Sequence, residues 1–133
     1  MKLENIERID VNFINKTNWY NNMFSVIEES EDFIFENRKS RFDAKINVSY
    51  LNGVNCNFNG RVRLSGDFQD HIRKSDLSSS LDIHLENGHI DNIVRFKLFL
   101  PETRRNDTEI VFTTIMEKLG FLVPRTIRVN SSI

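Results

Sequence analysis

Asp67, Asp70 and His71 stand within five residues in "GRVRLSGDFQDHI" (60–72), and Arg61 and Arg63 come just before them. Carboxylates with an imidazole are acceptable metal ligands, but three so close on one loop match no recognised ligand spacing, and no second cluster completes a shell. An acid–base dyad of Asp70 and His71 is poorly placed, because adjacent residues on a regular element point in different directions. Phosphate suits the residue types better. Arg61 and Arg63 share one face of a strand, Gly66 permits close backbone approach, and Arg104 and Arg105 add cations. The plainest reading is a structural corner formed by Gly66, Asp67, Asp70 and His71. In it Gly66 takes a positive φ, and Asp67 or Asp70 bonds to turn amides or to Arg63 or Arg104. No catalytic residues emerge: there is no nucleophile triad, no Gly-rich phosphate loop after a strand, no HExxH and no CxxC. Of the other histidines, His84 falls on the wet face of its strand and His89 flanks a turn.

The elements around this stretch follow from hydrophobic period. Ile9, Val11 and Phe13 alternate as a strand. Trp19, Met23, Val26 and Ile27 fall on one helical face, with Thr17 or Asn18 as cap. Two long alternating runs, 42–50 and 54–64, flank Asn52-Gly53 as a hairpin. A three-residue loop pairs Tyr50 with Val54, Val48 with Cys56, Ile46 with Phe58 and Ala44 with Gly60, and it alone keeps one face apolar. A second hairpin is expected around Asn87-Gly88, pairing Leu85 with Ile90 and Leu81 with Val94. Residues 106–120 read as a helix, with a capping box of Asn106 and Glu109, a buried stripe of Val111, Phe112, Ile115, Met116 and Leu119, and Gly120 as the stop. Ile127 and Val129 point inward from a last short strand. The fold class is therefore α+β: an antiparallel sheet built from two hairpins, with two helices packed on one face.

The chain has 133 residues, enough for a single domain over 1–133, with 39% hydrophobic residues and eleven Phe to fill its core. Its net charge of −1 lacks the basic excess that a nucleic-acid or acidic-membrane partner usually leaves. Cys56 has no internal disulfide partner and reads as a small buried hydrophobe. The opening "MKLENIERID" has no apolar run, so neither a leader nor an anchor is expected, and the expected location is cytoplasmic.

In order, "GRVRLSGDFQDHI", "SSSLDIHL", "FKLFLPETRRNDTEI" and "LGFLVPRTIRVN" resemble the spore-coat-protein-H-like (CotH-like) atypical kinase family over about residues 41–130. The family shows R-L-K-G-D-aromatic-x-D-H, K-x-S-aromatic-R-I-K, F-x-L-x-x-P-x-T-R and G-x-x-x-P-R stretches. Arg63, Gly66, Asp67, Asp70, His71, Phe96, Pro101, Thr103, Arg104, Glu109, Pro124 and Arg125 match. The resemblance implies a kinase N-lobe-like fold, an ATP-dependent protein kinase as the full-length relative, and ATP and Mg²⁺ as that protein's cofactors. Here Ser78, Asp82 and His84 occupy the basic positions of the second stretch, so Lys97 or an arginine would have to meet nucleotide phosphates. Arg61, Arg63, Lys97 and Arg104 are thus the phosphate candidates. The family's N-G and Y-x-x-E-E motifs and its catalytic lobe lie beyond the matched stretch. The expectation is an N-terminal lobe, part of a longer chain, with no cofactor or metal of its own and not competent alone. It would pair with the missing C-terminal lobe or with itself, through uncovered Phe121, Leu122, Ile127 and Val129. The alternative is a stand-alone interaction or oligomerisation module on a degenerate kinase-like lobe, without nucleotide binding.

Overall fold

The computed structural model describes residues 2–29, 32–105 and 107–133. Its regular elements run β1 (Ile6–Phe13), α1 (Lys16–Glu28), β2 (Phe42–Tyr50), β3 (Asn55–Leu64), β4 (Ile72–Arg73), β5 (Ser78–Ser79), β6 (Leu81–Leu85), β7 (Arg95–Leu98), α2 (Thr108–Lys118) and β8 (Asn130–Ser132). The main sheet has six strands in the order β7-β6-β3-β2-β1-β8, and β4 and β5 form a separate two-stranded ribbon. Neighbours are antiparallel except β8, which runs parallel to β1. The fold is mixed α+β, as the sequence pattern requires.

Alternation places one face of the sheet in the core. Val11, Ile46, Val48, Val62 and Ile83 are fully buried there, together with Trp19, Met23 and Val26 of α1. Trp19 stacks on Phe13 with ring centroids 4.0 Å apart and meets Phe42 edge-on. The cap of α1 is Asn15, whose side chain accepts the Asn18 amide, ahead of the expected Thr17 or Asn18. The β2–β3 register is the expected one: Val48 faces Cys56, Ile46 faces Phe58, Ala44 faces Gly60, and Gly53 takes φ +85° in the loop. Cys56 itself is half-buried.

The second hairpin is wider than expected. Leu81 pairs with Leu98 and Ile83 with Phe96, not Leu81 with Val94. The tight turn falls at Asp91-Asn92, both at positive φ, between Ile90 and Ile93, which exchange two backbone hydrogen bonds. That arrangement sets Phe96 and Leu98 opposite Ile83 and Leu81, where a turn at Asn87-Gly88 would set Asn92 and Val94. The proposed capping residue Asn106 lies outside the described residues.

The expected burial of α2 is overturned. Val111, Phe112, Ile115 and Leu119 are 56%, 59%, 52% and 67% exposed, Met116 is half-buried, and Thr113 is the buried residue of the helix. The two helices therefore differ: α1 buries Trp19, Met23 and Val26, and α2 buries Thr113. Helical period shows that a helix is two-faced but not what covers the apolar face. Gly120 does end α2: its amide reaches the Glu117 carbonyl and that of Phe121 reaches Met116. The last strand begins at Asn130 rather than 126, leaving Ile127 exposed and Val129 half-buried against the core. Phe121 and Leu122 are exposed.

The sheet curls. Ile6 and Ile9 of β1 line the same cavity as Phe96 and Leu98 of β7, from the other end of the strand order. The cavity holds about 640 Å³.

A candidate anion-binding face

The sheet face opposite the core carries the charged residues. In register across three strands, Arg63 of β3 faces Asp82 of β6, which faces Lys97 of β7. One step along, Arg61 faces His84, which faces Arg95. Asp82 is the centre of this face, and its side chain has no solvent exposure. Three guanidinium groups cover it. Arg95 is bidentate, with Nε to Oδ1 at 3.1 Å and Nη2 to Oδ2 at 2.8 Å. Arg63 reaches Oδ2 with Nη2 at 3.3 Å, and Arg41, just before β2, reaches Oδ1 with Nη2 at 3.3 Å. Arg41 also donates through Nη1 to the Arg61 carbonyl at 3.2 Å.

One carboxylate against three guanidinium groups leaves two positive charges in surplus. Burial pushes the Asp82 carboxyl up, but the hydrogen bond from Arg95 and the charge of Arg41 outweigh it and hold the group at about 2. Asp82 therefore stays ionised and holds the three arginines in place. Their side chains remain 23%, 27% and 55% exposed for Arg41, Arg63 and Arg95. Guanidinium forks suit planar or tetrahedral oxyanions such as carboxylate and phosphate. The exposed Glu36 lies 4.0 Å from Arg63 and bounds the surplus on that side.

The sequence-selected residues divide between this face and its surroundings. Arg61 lies on the face, 3.6 Å from Asp43, and Lys97 stands exposed beside Asp82 in register. Arg104 is elsewhere: its guanidinium sits over the Phe99 ring at 4.0 Å and pairs with Glu109 at 3.4 Å. The corner after β3 is a separate construction. Gly66 has φ +99°, and a Cβ there would lie 2.1 Å from Cδ2 of His71, so the imidazole occupies the space of a side chain. His71 Nδ1 is 2.9 Å from Ser80 Oγ, which also accepts the Leu100 amide at 3.1 Å. Burial lowers the affinity of His71 for a proton.

Asp67 bonds to Lys39 at 3.0 Å, not to Arg63 or Arg104, and that bond lowers its carboxyl. Lys39 is 7% exposed and also reaches Glu36 at 3.2 Å. Asp70 is exposed. Among the described residues no three His, Cys, Asp or Glu side chains gather as a metal-binding group. Ser78 lies on β5, and His84 is exposed beside the arginines.

In the sequence Asp82 stands out only as a departure from a family pattern. The signal that could have found its role is a shared parity: 61 and 63, 82 and 84, and 95 and 97 all lie on the polar side of alternating runs. Comparison of the chain with protein-family models, with curated proteins and with solved structures finds no match. Among the described residues no helix is long and apolar enough to cross a membrane.

Proposed function

We propose that this chain is the N-terminal lobe of a CotH-like kinase fold, not competent for phosphotransfer alone, whose arginine-lined face holds phosphate groups. The observation that carries the reading is the convergence of Arg41, Arg63 and Arg95 on the inaccessible Asp82. Where the family pattern places a cation, this chain has an acid, and neighbouring strands supply the cations instead. In the assembled protein ATP with Mg²⁺ would supply the transferable phosphoryl group. Arg41, Arg63, Arg95, Arg61 and Lys97 would meet phosphate oxygens; Asp82, saturated by arginine, is no metal ligand. Phosphoryl transfer also needs a metal-holding carboxylate and a residue that positions the nucleophile. Asp82, held by three arginines, fills neither role.

The test is calorimetric titration of the purified chain with tripolyphosphate and with Mg²⁺-ATP, alongside a phosphate-release assay. The reading expects weak, salt-sensitive binding of both anions and no turnover. Turnover abolished by Asp67→Ala or Asp70→Ala would overturn it, as would anion binding unchanged in Arg61→Gln/Lys97→Gln.

A second reading, an interaction or oligomerisation module without nucleotide binding, draws on the uncovered apolar side of α2. Exposed contiguous apolar surface usually marks an interaction site. This reading expects self-association with no anion binding. Light scattering that reports a monomer across a wide concentration range would refute it.

A further inference from the structure

The cavity beside β7 is bounded by a strand edge. Leu85 donates its amide to the Val94 carbonyl at 2.7 Å, which fixes the alternation along the β6–β7 ladder. Phe96 and Leu98 then spend their backbone groups on β6, and the N–H and C=O of Arg95 and Lys97 point away from the sheet. Among the described residues no backbone hydrogen bond meets them. Residues 95–99 all line the cavity although side chains of a strand alternate in direction, so the backbone edge itself forms the wall. Residues 124–129, six consecutive residues without regular structure, line the cavity as well. Ile6, Ile9 and Ile90 add an apolar floor.

We propose that this gap is a slot for one added β-strand, supplied by an acidic segment of another protein whose alternate residues are apolar. Strand addition uses free edge amides and carbonyls for affinity and alternate side chains for specificity. In the added strand, residues on the cavity side meet Phe96, Leu98 and Ile127. Residues on the other side lie beside Arg95 and Lys97, next to the surplus charge around Asp82. That charge decides the occupant. Antiparallel pairing of two β7 strands would set Arg95 and Lys97 of one copy against those of the other, and like charges directly opposite are destabilising. An acidic segment is favoured by the same field. The volume of about 640 Å³ lies within the range of binding pockets. The inference shares Arg95 and Lys97 with the phosphate reading, and protection of the edge amides separates the two, because phosphate bound by side chains leaves those amides open to exchange.

The probe is a dye-labelled peptide alternating Glu and Val, with a Lys–Val counterpart, followed by fluorescence anisotropy and by amide hydrogen exchange. The Glu–Val peptide is expected to bind at least about tenfold more tightly than the Lys–Val peptide. Added salt weakens it, and the Arg95 and Lys97 amides become protected. Lys97→Pro removes an outward amide that β6 does not use, so binding is lost while the sheet is kept. Lys97→Glu, which leaves the backbone intact, narrows or reverses the preference between the peptides. Equal affinity for both peptides, no binding at about 1 mM, or unchanged binding by Lys97→Glu overturns the proposal. So does a concentration-dependent dimer that Lys97→Pro dissolves without any peptide binding, which would assign the edge to a second copy.

Discussion

Asp82→Asn keeps the shape of the side chain and removes its charge, leaving three guanidinium groups around a neutral amide. The wild-type carboxyl moves from 3.8 to about 2 on folding. A shift of that size is worth about 2 kcal/mol at neutral pH. Splitting a fully buried pair costs about 3–5 kcal/mol, but here water screens guanidinium groups that are a quarter to a half exposed, so the lower figure applies. For a chain of this length about 2 kcal/mol corresponds to a melting temperature lower by about 5–10 °C. The pH dependence provides a sharper check. A carboxyl depressed in the folded state contributes stability that is present above its unfolded value and lost as pH falls through the folded one. The wild type and Asp82→Asn should therefore differ most at pH 7 and converge between about pH 4 and pH 2. Urea unfolding at a series of pH values measures this. A difference below about 0.5 kcal/mol at pH 7, the range of an ordinary surface change, would refute the reasoning. So would a difference that does not shrink on acidification.

Other expected outcomes follow from the corner and the helices. Gly66→Ala forces a Cβ into the His71 ring at positive φ and should cost about 1–3 kcal/mol, with part of the loss recovered in Gly66→Ala/His71→Ala, as urea unfolding would report. His71 binds its proton less readily when folded, so stability should fall as pH drops below the unfolded value near 6.5 and level off below the folded one; His71→Gln should flatten that segment of the profile. Trp19→Ala should cost about 3–5 kcal/mol in thermal unfolding, whereas Phe112→Ser, on the exposed side of α2, should stay within about 0.5 kcal/mol.

How much of this was legible in the sequence differs by element. The β2–β3 register could be read because one loop length alone keeps the apolar residues of both runs together, and α1 because Trp19, Met23 and Val26 repeat at helical spacing. The second hairpin is misread because Asn87-Gly88 is a strong local turn signal, while the actual register brings Phe96 and Leu98 opposite Ile83 and Leu81, a tertiary gain. The uncovered side of α2 is beyond any periodicity argument, since period describes a helix and not its neighbours. Asp82 stayed hidden for a related reason. Its three arginines come from separate segments, and only the combined register of β3, β6 and β7 brings two of them beside it. The charged stretch 60–72 holds two things. Arg61 and Arg63 belong to the arginine face, while Asp67 and His71 belong to a corner that pairs with Lys39 and Ser80.

The central claim is that the arginines gathered on Asp82 still hold enough free charge to bind phosphate. Nuclear magnetic resonance of the arginine Nε–Hε groups during titration with tripolyphosphate tests it most directly. The account predicts saturable shifts at Arg41, Arg63 and Arg95, with Arg73, which is held by Asp76 and Glu102, unmoved. Uniform small shifts across all arginines, or none at the three around Asp82, would contradict it.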